Sequence, residues 1–299
     1  MMLIAGTVPI ENLPLTMGEV RVLGDALVVE GHGIPRTQGT GAMIGAALAT
    51  TEYLKLEAPY VVVAGDTGQG KGSREIYEYL IRKVAELSPE VLALHYCLPD
   101  MALSRRLCEA VKKCERRPLM IADAASMYAA KAAGLASEFD IFTPDATEMA
   151  FLADTKATHP AYIARHLFDT DITQTPGLIA AAYERRDAAR LLLVKGAVDY
   201  VVQAGEILAT ITEPDVPALE AIGGTGDTIT GLVSALAYAE LEPHEAAIIA
   251  ARANRVAGMY ARATPATRVS QIIDQFPVIF KEHLCQWSGV CYIGEDKND

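Results

Sequence analysis

Apolar, strand-like runs alternate with helix-patterned segments through most of this chain, and that rhythm restricts its fold more than any other feature. Candidate strands are Ala26–Glu30, Tyr60–Ala64, Val91–His95, Leu119–Asp123, Asp140–Phe142 and Leu191–Lys195. Between them lie the helical stretches Gly39–Leu56, Ser73–Leu87, Leu103–Cys114, Ser126–Ala136 and Leu178–Ala189. A strand-then-helix order predicts a mainly parallel sheet covered on both faces, with its chemistry at the carboxyl ends of the strands. After Lys195 the rhythm breaks: Asp199–Gln203 and Ile207–Ile211 flank Ala204-Gly205-Glu206, which predicts a hairpin that turns the sheet antiparallel at one edge. Three helices are expected beyond it, around Thr228–Glu240, His244–Ala263 and Val269–Leu284. No repeat, low-complexity tract or long linker interrupts the 299 residues, so one α/β domain over 1–299 is expected, its polar tail from Gln286 to Asp299 loosely held.

The chain is 51% hydrophobic and only 6% aromatic, which suits an α/β enzyme better than a β-sandwich. A formal net charge of −12, with no basic run, argues against a nucleic-acid surface, although local backbone donors can still hold a nucleotide. The longest uncharged stretch, between Arg36 and Glu52, is too short and too rich in Gly and Thr to span a membrane. Met1 to Ile10 shows neither a basic region nor a cleavage-like end, so no signal peptide is expected. Five cysteines, an odd number, suggest a reducing cytoplasm. The pairs Cys108/Cys114 and Cys285/Cys291 lack the usual zinc spacing and read as buried or incidental thiols.

Ile222-Gly223-Gly224-Thr225-Gly226-Asp227-Thr228 runs directly into an apolar helix. Glycines at a helix start leave backbone N–H groups free to converge on an anion at its positive end. The simplest alternative is a tight turn with a cap, but Asp227 inside that ring of donors suits phosphoryl transfer to a hydroxyl. An aspartate there is stabilised as an anion, which is tolerable for a base when the hydroxyl loses its proton late. Thr143-Pro144-Asp145-Ala146-Thr147-Glu148 follows a strand, and Asp145 and Glu148, three apart, can share a side and hold hydrated Mg2+ near phosphates. Capping of the next helix explains the same residues equally well. Lys195-Gly196 ends a strand where a cation can pair with phosphate, and Asp123 closes another strand as a candidate substrate-site carboxylate.

Gly65-Asp66-Thr67-Gly68-Gln69-Gly70-Lys71 matches the spacing of a P-loop, but Gly72 stands where such a loop needs Ser or Thr to hold Mg2+. Asp66 and Gly68 are therefore read as a wall of the substrate site. The glycine-rich run Gly31 to Gly41 sits between a strand and an Ala-rich helix, and its His32, Arg36 and Gln38 are candidate substrate contacts.

In their order, Gly224–Asp227, Thr143-Pro144 with Glu148, and Lys195-Gly196 resemble the ribokinase-like superfamily, most closely its branch of hydroxyethylthiazole kinases and ADP/ATP-dependent NAD(P)H-hydrate dehydratases. The resemblance runs from about Val61 to Phe276 and implies a three-layer α/β/α sandwich. It implies that Gly224, Thr225 and Gly226 form the anion hole and that Asp227 is the base. Glu148 would organise Mg2+ as the acid of the family's N-x-x-E motif, with Asp145 in the place of its Asn. ATP or ADP would lie beside Thr143, Lys195 and Gly196 and against the late helix bearing Asn254 and Gly258. Thiazole kinases often place Cys where this chain has Asp227, and the hydrate dehydratases usually carry His-Pro-Gly where it has Asp145-Ala146-Thr147. Neither the N-terminal β-lid nor the sugar-reading acid of ribokinases proper is evident, and lidless relatives often complete their sites with a neighbouring subunit, which implies a homo-oligomer. The expectation is a kinase acting on a hydroxyl of a small sugar- or vitamin-like molecule. Hydrate dehydration by the same phosphoryl chemistry, and nucleotide binding without turnover, are the alternatives.

Overall fold

The computed structural model describes residues 1–157 and 174–289. Its centre is a nine-stranded sheet of order β12-β11-β10-β9-β8-β7-β1-β6-β2. The parallel strands are β1 (Met2–Val8), β6 (Tyr60–Gly65), β7 (Val91–His95), β8 (Leu119–Asp123), β9 (Ile141–Phe142) and β10 (Leu191–Val194). The expected edge hairpin, β11 (Asp199–Gln203) and β12 (Glu206–Ile211), is antiparallel, and β2 (Thr16–Glu19) closes the opposite edge antiparallel to β6.

β1 occupies the middle of the sheet, between β6 and β7, yet lies in a stretch that the sequence pattern leaves without an element. Its residues alternate between the two cores: Met2 and Ile4 pack on one face and Leu3 and Ala5 on the other, all fully buried. A strand apolar on both faces carries no alternation to betray it. Arg21–Leu23 (β3), Ala26–Val29 (β4) and His32–Pro35 (β5) form a separate antiparallel sheet. Of this small sheet, the pattern carries only the middle strand.

Helices α1 (Gly39–Tyr53), Thr225–Tyr238 and Pro243–Tyr260 cover one face of the large sheet. The other face is covered by α2 (Lys71–Leu87), α3 (Met101–Val111), α4 (Ala125–Ala132), α5 (Ala146–Ala153) and the helix Thr175–Glu184. This is the α/β/α sandwich. The single helix expected over Val269–Leu284 is instead broken into Val269–Ile273 and Phe276–Ile279, the latter continuing through a wider turn at Phe280–Leu284. Pro277 at the start of the second piece suits a fresh helix start. Among the described residues no helix is long and apolar enough to cross a membrane. Cys97, Cys108 and Cys114 are buried free thiols, whereas Cys285 is disulfide-bonded, contrary to its reading as an incidental thiol. Cys291 and most of the expected tail lie outside the described residues.

Close contact between α1 and the Thr225–Tyr238 helix brings two helix starts to one place on the carboxyl edge. Gly231 permits it: a Cβ there would lie 2.2 Å from the carbonyl oxygen of Met43. Backbone cannot yield cheaply at such a distance, so Gly231→Ala is expected to destabilise the protein by roughly 1–3 kcal/mol. Urea denaturation checks this, and an unchanged midpoint would mean that the helices separate freely.

Candidate active site

Strand geometry assembles the site from its floor upward. β7, β8, β9 and β10 lie side by side and deliver His95, Asp123, Thr143 and Lys195 in a row across the carboxyl edge. His95 and Asp123 are register partners. The residues that follow them, Tyr96 and Ala124, have φ of 52° and 51°, so the chain turns away through a disfavoured conformation and leaves the two side chains at the strand tips.

Asp123, 1% exposed, is the centre of this row. Its oxygens accept from Lys195 Nζ at 3.0 and 2.9 Å, from Thr230 Oγ1, and from its neighbour's amide, Ala124 N, at 2.8 Å. His95 Nε2 stands 3.6 Å away. Burial alone would push the Asp123 carboxyl up, but Lys195 and His95 outweigh it and hold it well below the usual range. Burial would likewise lower Lys195, yet Asp123, Glu148 and Asp227 hold its ammonium firmly charged.

Above this floor the Thr225–Tyr238 helix begins. Gly224 precedes it with φ of 100°, and a Cβ at Gly224 would press on Gln38 Cα at 3.1 Å and Ala42 Cβ at 3.2 Å. Glycine is needed there for both reasons. Thr225 turns its hydroxyl inward to the carbonyls of Leu219 and Ile222, at 2.8 and 3.0 Å. The amides of Gly226 and Asp227 have no partner among the described residues, which leaves two donors at a helix N-terminus. Asp227 is held by two further donors: Gly39 N, the first amide of α1, at 2.7 Å from Oδ2, and His95 Nε2 at 3.0 Å from Oδ1. The starts of two helices and a buried histidine thus converge on one carboxylate.

Beside Asp227 opens a cavity of about 360 Å³, within the range of small-molecule sites. Lys195, Gly196 and Asn254 line it, as do Asp145, Glu148, Thr225, Gly226 and Asp227. Arg255, which the sequence does not single out, shapes one wall. Its guanidinium pairs with buried Asp199 at 2.7 Å and donates to the carbonyls of Gly196, Ala197 and Thr212 at 2.9, 2.9 and 3.1 Å.

Asp145 and Glu148 form the capping box of α5: Glu148 N donates to Asp145 Oδ1 and Asp145 N to Glu148 Oε2, both at 2.8 Å. Tyr128 OH adds a bond to Glu148 Oε1 at 3.1 Å. Capping and metal binding are compatible, since each carboxylate oxygen keeps a second lone pair. Half-buried Glu148 is held above the usual carboxylate range by burial first, then by Asp145 and Asp123. The lining holds seven carboxylates against two cations, Lys195 and Arg255. Hard oxygen donors with uncompensated negative charge fit Mg2+. His95, Asp123 and Asp227 also cluster within 4.8 Å, but there both imidazole nitrogens already face partners, Nε2 toward Asp227 at 3.0 Å and Nδ1 toward Thr40 Oγ1 at 2.9 Å.

Other expected site residues lie elsewhere. Thr143 is fully buried behind the wall, 2.9 Å from Thr230 Oγ1, and does not reach the cavity. Gly258 makes room for Leu219, whose side chain would lie 2.7 Å from a Cβ, so it supports the wall without forming it. Asp123 touches the cavity, but its oxygens serve Lys195 and Thr230 before any substrate. His32 is exposed on β5 of the small sheet, and buried Arg36 pairs with Asp274 at 3.4 Å, both away from the cavity. Gln38 packs beside the glycine turn, its Oε1 3.3 Å from where a Gly223 Cβ would be, and is not among the residues lining the cavity.

The Gly65–Lys71 loop is closed by its own acid. Asp66 Oδ1 takes the amides of Gly68, Gln69 and Gly70 at 2.9–3.0 Å, and Oδ2 takes the amide and hydroxyl of Ser73 at 3.1 and 3.0 Å. Those four amides are committed to Asp66, whose carboxylate sits where a phosphate would have to lie. Asp66 lines a separate surface pocket, and a Cβ at Gly68 in the same loop would meet open space, so neither reaches the cavity beside Asp227.

The sequence profile of the Carb_kinase family, described as NAD(P)H-hydrate dehydratase, matches residues 88–276. An uncharacterized protein of Methanocaldococcus jannaschii is 38% identical over 235 residues, covering 79% of this chain and 96% of that protein. The bifunctional NAD(P)H-hydrate repair enzyme Nnr of Pyrobaculum aerophilum is 29% identical over 194 residues, covering 62% of this chain and 35% of that enzyme. Its Hyperthermus butylicus counterpart is 35% identical over 101 residues, 33% of this chain and 18% of the enzyme. The chain thus spans a minor part of both repair enzymes. Among solved structures, the ADP/ATP-dependent NAD(P)H-hydrate dehydratase from Bacillus subtilis, co-crystallized with ATP/Mg2+, superposes with a TM-score of 0.55 at 12% identity, over 94% of this chain and 90% of that one. A ribokinase-like superfamily protein from Enterococcus faecalis gives 0.52 at 14% identity, over 94% and 86%. At these identities the likeness is one of fold, which is ribokinase-like.

Arg255→Met would leave Asp199 buried without its partner, an expected loss of about 3–5 kcal/mol in urea denaturation. The double variant with Asp199→Leu should recover most of it. If the single variant is as stable as the parent, the pair does not hold the Gly196–Ala197 turn.

Proposed function

Because this chain belongs to the NAD(P)H-hydrate dehydratase family, we propose that it restores hydrated NADH or NADPH by nucleotide-dependent dehydration. The observation that carries the reading is Asp227, an acid fixed by Gly39 N and His95 beside Lys195 and two amides that have no partner among the described residues. In this reading Asp227 receives the proton of the substrate hydroxyl as its oxygen bonds the terminal phosphorus of ATP or ADP. The bridging P–O bond breaks and the shortened nucleotide leaves. The C–O bond then breaks, phosphate departs in place of hydroxide, and loss of a ring proton restores the double bond of the dihydronicotinamide.

Such a transfer needs positioning and fixed positive charge more than covalent help. The amides of Gly226 and Asp227 and the ammonium of Lys195 meet the charge of the migrating group. Asp145 and Glu148 would hold Mg2+, which screens the polyphosphate from the acidic lining. Arg255 keeps the Gly196–Ala197 turn in shape beside the nucleotide.

Asp145-Ala146-Thr147, in place of the His-Pro-Gly run that marks the resembling dehydratases, favours a second reading: a kinase that stops after phosphoryl transfer. One experiment separates the two. Hydrated NADH or NADPH is supplied with Mg2+ and either ATP or ADP. Dehydration returns the near-ultraviolet absorbance, whereas a simple kinase leaves a phosphorylated product visible by mass spectrometry on a metabolite panel. Thermal stabilisation by nucleotide with neither product would mean binding without turnover. Asp227→Asn is expected to lower kcat by about 10²–10⁴-fold while nucleotide affinity changes little. Full turnover by that variant removes the mechanism, and no absorbance with either nucleotide removes the dehydratase reading.

A further inference from the structure

The reaction as described uses Asp227 but leaves unexplained the buried histidine bonded to it. His95 is fully enclosed and stands behind the cavity wall. Its Nδ1 lies 2.9 Å from Thr40 Oγ1, and the Thr40 hydroxyl donates its only proton to the carbonyl of Thr7 at 2.6 Å. A hydroxyl with its proton committed can only accept, so Nδ1 carries hydrogen. Nε2 faces Asp227 Oδ1 at 3.0 Å and Asp123 Oδ2 at 3.6 Å, so it carries hydrogen too. Both nitrogens donate, and the ring is an imidazolium.

We propose that His95 is a positioning residue for Asp227: its imidazolium, held by Thr40 and Asp123, fixes one oxygen of Asp227 while Gly39 N fixes the other. The lone pairs left on that carboxylate then have one orientation, toward the cavity. Because the ring already carries both protons, it cannot take the substrate's proton from Asp227, which sets this pair apart from a histidine base oriented by an acid. The catalytic importance of this role rests on the reading of Asp227 as the base; the charge of the ring does not.

Four elements face His95. Asp227 comes from the Thr225–Tyr238 helix, Asp123 from β8 with Lys195 of β10 behind it, and Thr40 from α1, while the Tyr96 ring packs edge-on at 4.5 Å. Burial would favour the neutral ring, but the nearby Asp123 carboxylate and the hydrogen-bonded Asp227 outweigh it and push its pKa up to about 9. When the ring does lose a proton, Thr40 still requires the hydrogen on Nδ1. The bare Nε2 would then meet the Asp227 oxygen lone pair to lone pair, and the contact must open. The folded protein holds this proton more tightly than the unfolded chain, whose histidine titrates near 6.5. The ring's contribution is therefore complete below about pH 6.5 and is lost as pH rises through about 9.

The test follows kcat against pH in the hydrated-NADH assay, on the full chain. The parent is expected to lose activity along an alkaline limb near pH 9. His95→Gln keeps an amide donor but cannot titrate, so it should retain kcat within about tenfold and lack that limb, whereas His95→Leu should lower kcat about 100-fold with little change in nucleotide KM. Nitrogen NMR of the imidazole, assigned by the signal missing in His95→Gln, reads the ring without any turnover. A doubly protonated ring at neutral pH that titrates at lower pH in Asp227→Asn supports the proposal. A neutral ring at neutral pH, or His95→Leu with the parent's kcat and alkaline limb, overturns it. Should His95→Leu fail to fold, His95→Gln and the NMR titration decide. Should no turnover be found at all, the functional reading fails, while the NMR titration still decides whether His95 holds Asp227 as an imidazolium.

Discussion

The site is organised around the buried carboxylate of Asp123, which holds two cations apart and in place. Removed from water, it would be costly to ionise alone; with Lys195 on one side and His95 on the other, ionisation is the stable state. The arrangement works both ways, because Asp123 in turn favours the charged forms of Lys195 and His95. From this fixed pair the rest follows: Lys195 points to the helix start at Gly226, and His95 points to Asp227. Thr230 and Thr143 complete the hydrogen bonding below, while Lys195 and the helix start at Gly226 line the cavity above.

Much of this was legible in the sequence, and the reason is geometric. In a parallel sheet, strand tips collect on one edge, so a residue ending an apolar run is placed there by the fold itself. That reasoning finds Asp123 and Lys195, and the glycine-cleared helix start finds Asp227. It applies equally to His95, which closes Val91–His95 in register with Asp123, but a lone histidine carries no spacing signal. Arg255 is hidden differently. It lies in a helix one residue beyond Asn254, and its partner Asp199 starts a hairpin strand, so their pairing is purely tertiary. β1 escapes for the opposite reason, being so uniformly apolar that no pattern marks it. The resemblance implied Thr143 and Gly258 beside the nucleotide; in the structure both lie one layer behind the wall of the cavity.

Two glycine loops show how far such signals can be taken. Gly65–Lys71 and Gly223–Asp227 both follow apolar or turn segments and both open helices with an acid among the glycines. In the first the acid comes early, and the loop folds over it so that Asp66 takes the amides of Gly68, Gln69 and Gly70. In the second the acid comes last, inside the first helical turn, and its side chain is drawn away to Gly39 and His95. The amides behind it stay free. The order of acid and glycine, more than their number, separates a self-satisfied turn from an open one.

In the proposed reaction, the same displacement would let an acidic lining receive a polyphosphate. Asp227, left at its own helix start, would cancel the positive end that phosphate needs. His95 and the start of α1 neutralise it instead, so the helix that bears the acid still offers its dipole to an incoming anion. Lys195 adds charge at the same point, and the remaining surplus of carboxylates lies across the cavity at Asp145 and Glu148, where a divalent cation would be wanted. The site is thus polarised, with donors on one side and acids on the other. In the proposed reaction, a nucleotide entering with its metal would meet complementary charge on both sides.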